Sequence, residues 1–244
     1  MKLQLKDNEK LDLEIPKFDC DINPLGTHLN KYEMLSHLNS YSFNCIIGKP
    51  GSGKTSLLLS FLTGKGENKV FRKVFNHVLI VMPLTSRQSL KANPFKNHDP
   101  KKLYDDLTLQ GINDIYDQLL ESSEHDENTL LILDDVGASL KNNEIQKTLK
   151  RIIFNRRHLK VNIVCLLQSF ISIPREIRKL ISNCFLFKPS KVEFENFCLE
   201  LFEKKKDEAI EIMNFVFDKP HVYLMLNVES QKMYKGFDQI IITE

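Results

Sequence analysis

The stretch Gly48-Lys49-Pro50-Gly51-Ser52-Gly53-Lys54-Thr55 constrains this chain more than any other. It has the spacing G-x-x-x-x-G-K-[ST], and three of the chain's nine glycines fall within its first six residues. Glycine admits backbone dihedrals that a Cβ forbids, so successive N–H groups can turn inward on phosphate oxygens. Phe43–Ile47 before the loop is a short apolar run, and residues 55–62 after it read as a helix. A loop of this kind between a strand and a helix predicts a nucleotide site made of Gly48, Lys49, Pro50, Gly51, Ser52, Gly53, Lys54, Thr55 and Ser56. The helix start adds unpaired N–H groups and the positive end of its dipole. Lys54 is suited to the β- and γ-phosphates of ATP, and the Thr55 hydroxyl to Mg2+.

The rest of the chain repeats the strand–helix alternation. Apolar runs at 77–82, 129–133, 161–167 and 184–187 are apolar throughout rather than at every second position. That pattern predicts an α/β fold with a mostly parallel sheet and helices on both faces. Ile112, Ile115, Leu119 and Leu120 recur at helical spacing, as do Ile145, Leu149, Ile152 and Ile153. Pro174 opens a further helix, and two more cover 192–202 and 207–217. Residues 84–104 read as loop, and 221–226 and 239–242 as edge strands closing the sheet. Residues 1–41 read as an N-terminal arm with a weak helix at 31–38, and 42–244 as one ATPase domain.

Several classes are excluded on composition. No apolar run approaches the roughly 20 residues of a membrane helix, and the first residues lack a signal-peptide core. Five widely spaced cysteines without a CxxC pair indicate neither a disulfide framework nor a zinc site. The seven histidines form no metal-type cluster and read as surface or loop residues. No Asn-Lys-x-Asp motif is present, which counts against a GTPase.

Leu130-Leu131-Ile132-Leu133-Asp134-Asp135 is an apolar strand ending in two carboxylates. Aspartate there also suits a turn or a cap. Downstream of a phosphate loop, the pair suits Mg2+ and water instead: Asp134 for the metal, Asp135 for orienting the attacking water. Asp135 is one methylene shorter than the glutamate common at that place. Gln168 ends the apolar strand 161–167 and can both donate and accept, so it is a candidate sensor of the γ-phosphate and water.

Between Lys141 and Lys191, twelve Lys/Arg face only Glu144 and Glu176, while the whole chain carries +2. Such segregation suits a polyanion. Lys147, Lys150 and Arg151, on the helix after the acidic strand, are the candidate DNA contacts. Arg156 and Arg157 end that helix and are candidate fingers for a neighbouring subunit's site. Cations at a helix C-terminus are also favoured by its dipole.

Taken together, Gly48–Thr55, Leu130–Asp135, Arg156-Arg157-His158, Leu167-Gln168-Ser169 with Ile173-Pro174 and Arg178, Phe185–Lys188 and Tyr234–Asp238 resemble the poxvirus-type genome-packaging ATPases of the FtsK–HerA superfamily. The short, Lys/Asn/Ile-rich chain looks like the version carried by a virophage. The resemblance implies a RecA-like P-loop NTPase core and ATP with Mg2+ as cofactors. It also implies a homo-oligomeric ring, pentamer or hexamer, at a capsid vertex protein, driving double-stranded DNA into a preformed shell. An arginine would enter the neighbour's site, with Arg156, Arg157 and Arg178 as the matching positions. The place implied is the host cytoplasm, in the viral factory, and the virion, with no membrane partner. Two alternatives stand beside this reading: a nucleotide or polynucleotide kinase with residues 85–102 as its lid, and an ATP-binding structural protein with little turnover.

Overall fold

Strands that are apolar on both faces need equally apolar neighbours, and here they pair with one another at the centre of a single sheet. The computed structural model describes residues 25–66, 69–90, 93–202 and 206–241. Among them the strands are β1 (Phe43–Ile47), β2 (His77–Val81), β3 (Leu103–Tyr104), β4 (Thr129–Asp134), β5 (Val161–Leu167), β6 (Asn183–Phe187), β7 (Tyr223–Asn227), β8 (Met233–Lys235) and β9 (Asp238–Ile240). Their order is β3-β2-β4-β5-β1-β6-β7-β8-β9. From β3 to β6 the pairing is parallel, and from β6 to β9 antiparallel. The expected mostly parallel α/β sheet is therefore present, with β5 inserted between β1 and β4.

The helices are α1 (Glu33–Ser36), α2 (Lys54–Thr63), α3 (Leu84–Gln88), α4 (Leu109–Glu124), α5 (Asn143–Phe154), α6 (Arg175–Arg178), α7 (Lys191–Phe197) and α8 (Lys206–Val216). The stripe Ile145, Leu149, Ile152 and Ile153 is the buried side of α5, as its spacing predicts. Strand alternation sends Cys45, Ile47, Leu131, Leu133, Ile163 and Cys165 to one face, under α4, α5, α7 and α8. It sends Ile46, Leu130, Ile132, Val164, Leu166 and Phe185 to the other, under α2 and Leu25, Leu29, Met34, Leu35 and Leu38. Residues 25–41 thus share a core with the phosphate-loop helix. The rest of the N-terminal arm lies outside the described residues, as do Cys20 and Glu203–Lys205. The other four cysteines are buried free thiols.

Two expectations need correction. Residues 84–104 contain α3 and β3, each too short to show a period. β7 is not an edge strand, because β8 lies against it and was not anticipated from three residues. The last edge is β9, which ends at Ile240 and is joined to β8 by a two-residue turn opened by Gly236 at φ +62°.

At the end of the sheet away from the loop, four buried asparagines bridge four neighbouring strands. Asn44 donates to Asn162 Oδ1 at 2.9 Å, Asn183 to Asn44 Oδ1 at 2.8 Å, and Asn227 to Asn183 Oδ1 at 2.8 Å. Asn183 also donates to His37 O at 2.9 Å, and Asn162 to Ser40 O at 3.0 Å, so the ladder ties residues 37–40 to the sheet. Each amide is 7% exposed or less. Buried amides cost stability unless paired, and here each pairs with the next. Asn183→Ala strands His37 O and the Asn227 amide without a partner. It is expected to lower the unfolding free energy by about 2–4 kcal/mol. Urea denaturation measures this, and a loss within about 0.5 kcal/mol would show that the ladder is not a structural element.

Candidate nucleotide site

The loop leaves β1 at Ile47 and enters α2 at Lys54. Gly48 N–H donates to Leu167 O at 3.0 Å, which holds the start of the loop on β5. A Cβ on Gly48 would lie 2.6 Å from Ser52 Oγ and 2.7 Å from Phe187 Cβ, so no larger residue fits. Gly51 and Gly53 take φ +75° and +111°, a region that side chains disfavour. Ser52 Oγ is buried and has no hydrogen-bond partner among the described residues. A buried hydroxyl left unpaired in such a loop fits a phosphate oxygen as its partner.

Lys54 Nζ donates to Gly48 O at 2.7 Å and Lys49 O at 3.2 Å, so the ammonium lies against the loop itself. Burial lowers its pKa, while the charges of Asp134 and Asp135 oppose that shift. Thr55 and Ser56 open the first turn of α2, Thr55 half-buried and Ser56 exposed.

Asp134 is the last residue of β4 and is 8% exposed. Burial, and then the neighbouring Asp135 charge, push its carboxyl up to about 6, against the pull of Lys54. A carboxylate held this way gains from a cation, so Asp134 and Thr55 are the residues that could hold Mg2+. Asp135 turns left-handed, at φ +57°, and its N–H donates to Leu166 O at 3.2 Å. Its carboxylate Oδ1 accepts from Gln168 Nε2 at 3.0 Å. Lys54, Asp134, Asp135 and Gln168 therefore meet where β1, β4 and β5 end, and the last two touch directly.

Arg156 and Arg157 lie at the opposite end, where α5 leads into β5. Arg156 Nε donates to Tyr41 O and its Nη1 to Ile153 O, both at 3.0 Å. Burial and the Arg157 charge lower its pKa. Arg157 is exposed. Neither reaches this chain's own loop. Arg178 pairs with Glu200 at 2.6 Å and lies 5.0 Å from the Phe170 ring centroid. Lys147 bonds Glu144 at 3.0 Å, Lys150 pairs with Glu176, and Arg151 sits 4.3 Å over the Tyr116 ring. These three lie on α5, on the face of the sheet opposite α2.

The structure adds two residues with no motif to reveal them, His221 and Tyr223, and sets Phe187, from the Phe185–Lys188 segment, beside them. Phe187, His221 and Tyr223 join Gly51–Leu57 around a cavity of about 590 Å³. His221 is one of the histidines read above as surface or loop. It does sit in the turn before β7, but its Nδ1 donates to Ser52 O at 3.0 Å. Only proximity in the fold brings it there.

The Poxvirus A32 protein family matches residues 30–236, most of the chain. The chain belongs to that family. A search of curated proteins finds no match. Among solved structures, the genome packaging NTPase B204 of Sulfolobus turreted icosahedral virus 2, in complex with ATP-gammaS, is similar at a TM-score of 0.60 and 15% identity. That match covers 82% of this chain and 98% of B204. The DNA-packaging ATPase B204 of Sulfolobus Turreted Icosahedral Virus matches at 0.54 and 17%, over 81% and 97%. The cytoplasmic domain of the Type VII secretion ATPase EccC of Thermomonospora curvata matches at 0.53 and 14%, over 84% of this chain and 26% of its own. At these identities the likeness is one of fold, the α/β core of a P-loop NTPase. With the loop geometry above, this A32 family member is a nucleotide-binding P-loop ATPase.

The Asp134 shift yields a pH test. Its folded pKa of about 6 lies above the ordinary 3.8, so the fold favours the protonated form. Its stabilising contribution is full below about pH 4 and is lost as pH rises through about 6. Asp134→Asn removes that loss. The variant is expected to exceed wild type by about 1–3 kcal/mol at pH 8 without metal, and to match it near pH 4. Unfolding measured across that pH range decides, and an equal difference at both ends would contradict the assignment.

Proposed function

We propose that this chain is an ATP-hydrolysing motor that moves double-stranded DNA into a viral capsid. Membership in the A32 family makes it an ATPase of the genome-packaging kind. The observation that carries the mechanism is the Asp135–Gln168 hydrogen bond at the ends of β4 and β5. The loop N–H groups and Lys54 anchor the phosphates. Thr55 and Asp134 would hold Mg2+, which supplies positive charge against the phosphate oxygens. Asp135 accepts a proton from the attacking water, and Gln168 fixes that carboxylate while its amide senses the γ-phosphate. Gln168 orients the shorter aspartate's carboxylate through the 3.0 Å hydrogen bond, leaving its other oxygen for the water.

The arginine arrangement supports a ring. Arg156 is committed to backbone carbonyls and positions the segment. The exposed Arg157 beside it is the group suited to reach a neighbouring subunit. Lys147, Lys150 and Arg151 form the DNA-facing side: Lys147 and Arg151 are exposed, and the surface ion pair of Lys147 with Glu144 is weak enough to exchange with phosphates. A pentameric or hexameric ring, a capsid vertex partner, the viral factory and a virophage source belong to the same proposal.

A kinase lid at residues 85–102 finds no support in the packing. Phe95 is buried, His98 Nε2 donates to Val78 O at 2.8 Å, and β3 closes the sheet edge. Phe95 and His98 thus hold its described residues against the core.

Phosphate release with and without duplex DNA tests the motor. Release is expected to rise with DNA. Asp135→Asn and Gln168→Ala are each expected to keep ATP binding while losing about 100-fold or more in hydrolysis. Absence of turnover in the wild type would leave an ATP-binding structural protein, and labelled phosphate on an acceptor would mean a kinase. Mixing Lys54→Ala with Arg157→Ala is expected to restore part of the activity, since mixed interfaces contain intact sites. A mixture no more active than its components would remove the trans arginine.

A further inference from the structure

The segment that follows Gln168 out of β5 is held by a helix from elsewhere in the chain. Ser169 Oγ donates to Glu193 Oε1 at 2.7 Å, and Phe170 N–H donates to the same oxygen at 2.6 Å. Glu193 is the third residue of α7, the helix that follows β6. In the strand order β5 and β6 lie on either side of β1. This one carboxylate therefore bridges the chain leaving the two strands that flank the phosphate loop. It does so on the face of the sheet opposite α2, where Phe194 and Phe197 anchor α7 in the core.

The bridge is more than a helix end. Ser190 caps α7, and its hydroxyl accepts from Glu193 N–H at 3.3 Å. In a Ser-x-x-Glu cap the glutamate ordinarily folds back to the N–H of the serine. Here its Oε1 accepts two donors from the residues just behind Gln168. Hydrogen bonds to a carboxylate are short and strong. They fall on a residue that is itself locked. Phe170 is fully buried, edge-on to Phe197 at 5.4 Å between ring centroids, and its carbonyl accepts from Ile173 N–H at 3.2 Å. Gln168 is exposed, so packing does not fix its side chain. Its direction toward Asp135 depends on where the backbone at 168–170 is held.

We propose that Glu193 is a positioning residue for hydrolysis: by holding Ser169 and Phe170 it keeps Gln168 in reach of the Asp135 carboxylate. The inference rests on the reading of Gln168 given above. The test is steady-state ATP hydrolysis by the full chain, with ATP affinity measured alongside. Glu193→Ala is expected to lower kcat by about tenfold or more. Its ATP affinity should stay unchanged, which also shows that the variant is folded. Glu193→Gln keeps an oxygen that can accept both donors, so its kcat should stay within about threefold of wild type. A residue acting through Gln168 has nothing left to position once that side chain is gone. Adding Glu193→Ala to Gln168→Ala should therefore cost no further activity. Ser169→Ala removes one donor and leaves α7 intact. It should show a smaller loss of the same kind, and it carries the comparison where Glu193→Ala does not fold. An equal drop in kcat in the wild-type and Gln168→Ala backgrounds would overturn the proposal. So would joint loss of ATP affinity and kcat, a Glu193→Gln variant as slow as Glu193→Ala, or wild-type turnover in Glu193→Ala while Gln168→Ala is slow. If Gln168→Ala alone turns over like wild type, the reading of Gln168 falls first, and the role of Glu193 with it.

Discussion

Gly48 leaves no room for a Cβ between Ser52 and Phe187. This one close approach lets the end of β1 pass against β6 before turning into the loop. The loop is pinned on its other side by Gly48 N–H to Leu167 O, so it is stretched between the strands on either side of β1. Its N–H groups consequently sit at the middle of the sheet's end, with the carboxylates to one side and an aromatic cavity to the other. A larger residue at 48 would displace the loop from both sides together.

The charges at this end hold a tension that the protein alone does not relieve. Burial raises the Asp134 carboxyl and lowers the Lys54 ammonium, so burial disfavours the charge on each. A polyphosphate answers the ammonium and a cation answers the carboxylate. The site therefore suits a pair of ligands of opposite charge better than either alone. Asp135 escapes the same burial by turning left-handed out of the strand, where Gln168 meets it.

The glycine spacing announced the loop because only glycine tolerates those dihedrals. The apolar runs announced the parallel strands because burial on both faces leaves no alternation. Asp134, Asp135 and Gln168 were legible as the first polar residues at strand ends. Phe187 lay within the quoted Phe185–Lys188 segment, but His221 and Tyr223 were not legible, since an ordinary turn and strand hold them and only the antiparallel return of β7 carries them to the loop. The two-residue β3 and three-residue β8 were too short for any period to register. The lone asparagines in Asn44, Asn162 and Asn183 were a usable signal: a polar residue near the start of an apolar strand, repeated in three strands.

That ladder also bears on how the sheet transmits force. Its amides cross four strands at one end, while nucleotide and catalytic groups gather at the other. Between these ends the parallel strands lie side by side, so a pull along them loads many hydrogen bonds at once, in shear. Hydrogen bonds loaded singly would instead peel apart in turn. The amide crossbar keeps β5, β1, β6 and β7 from sliding past one another, so displacement at the phosphate end arrives at the far end as motion of one stiff plate.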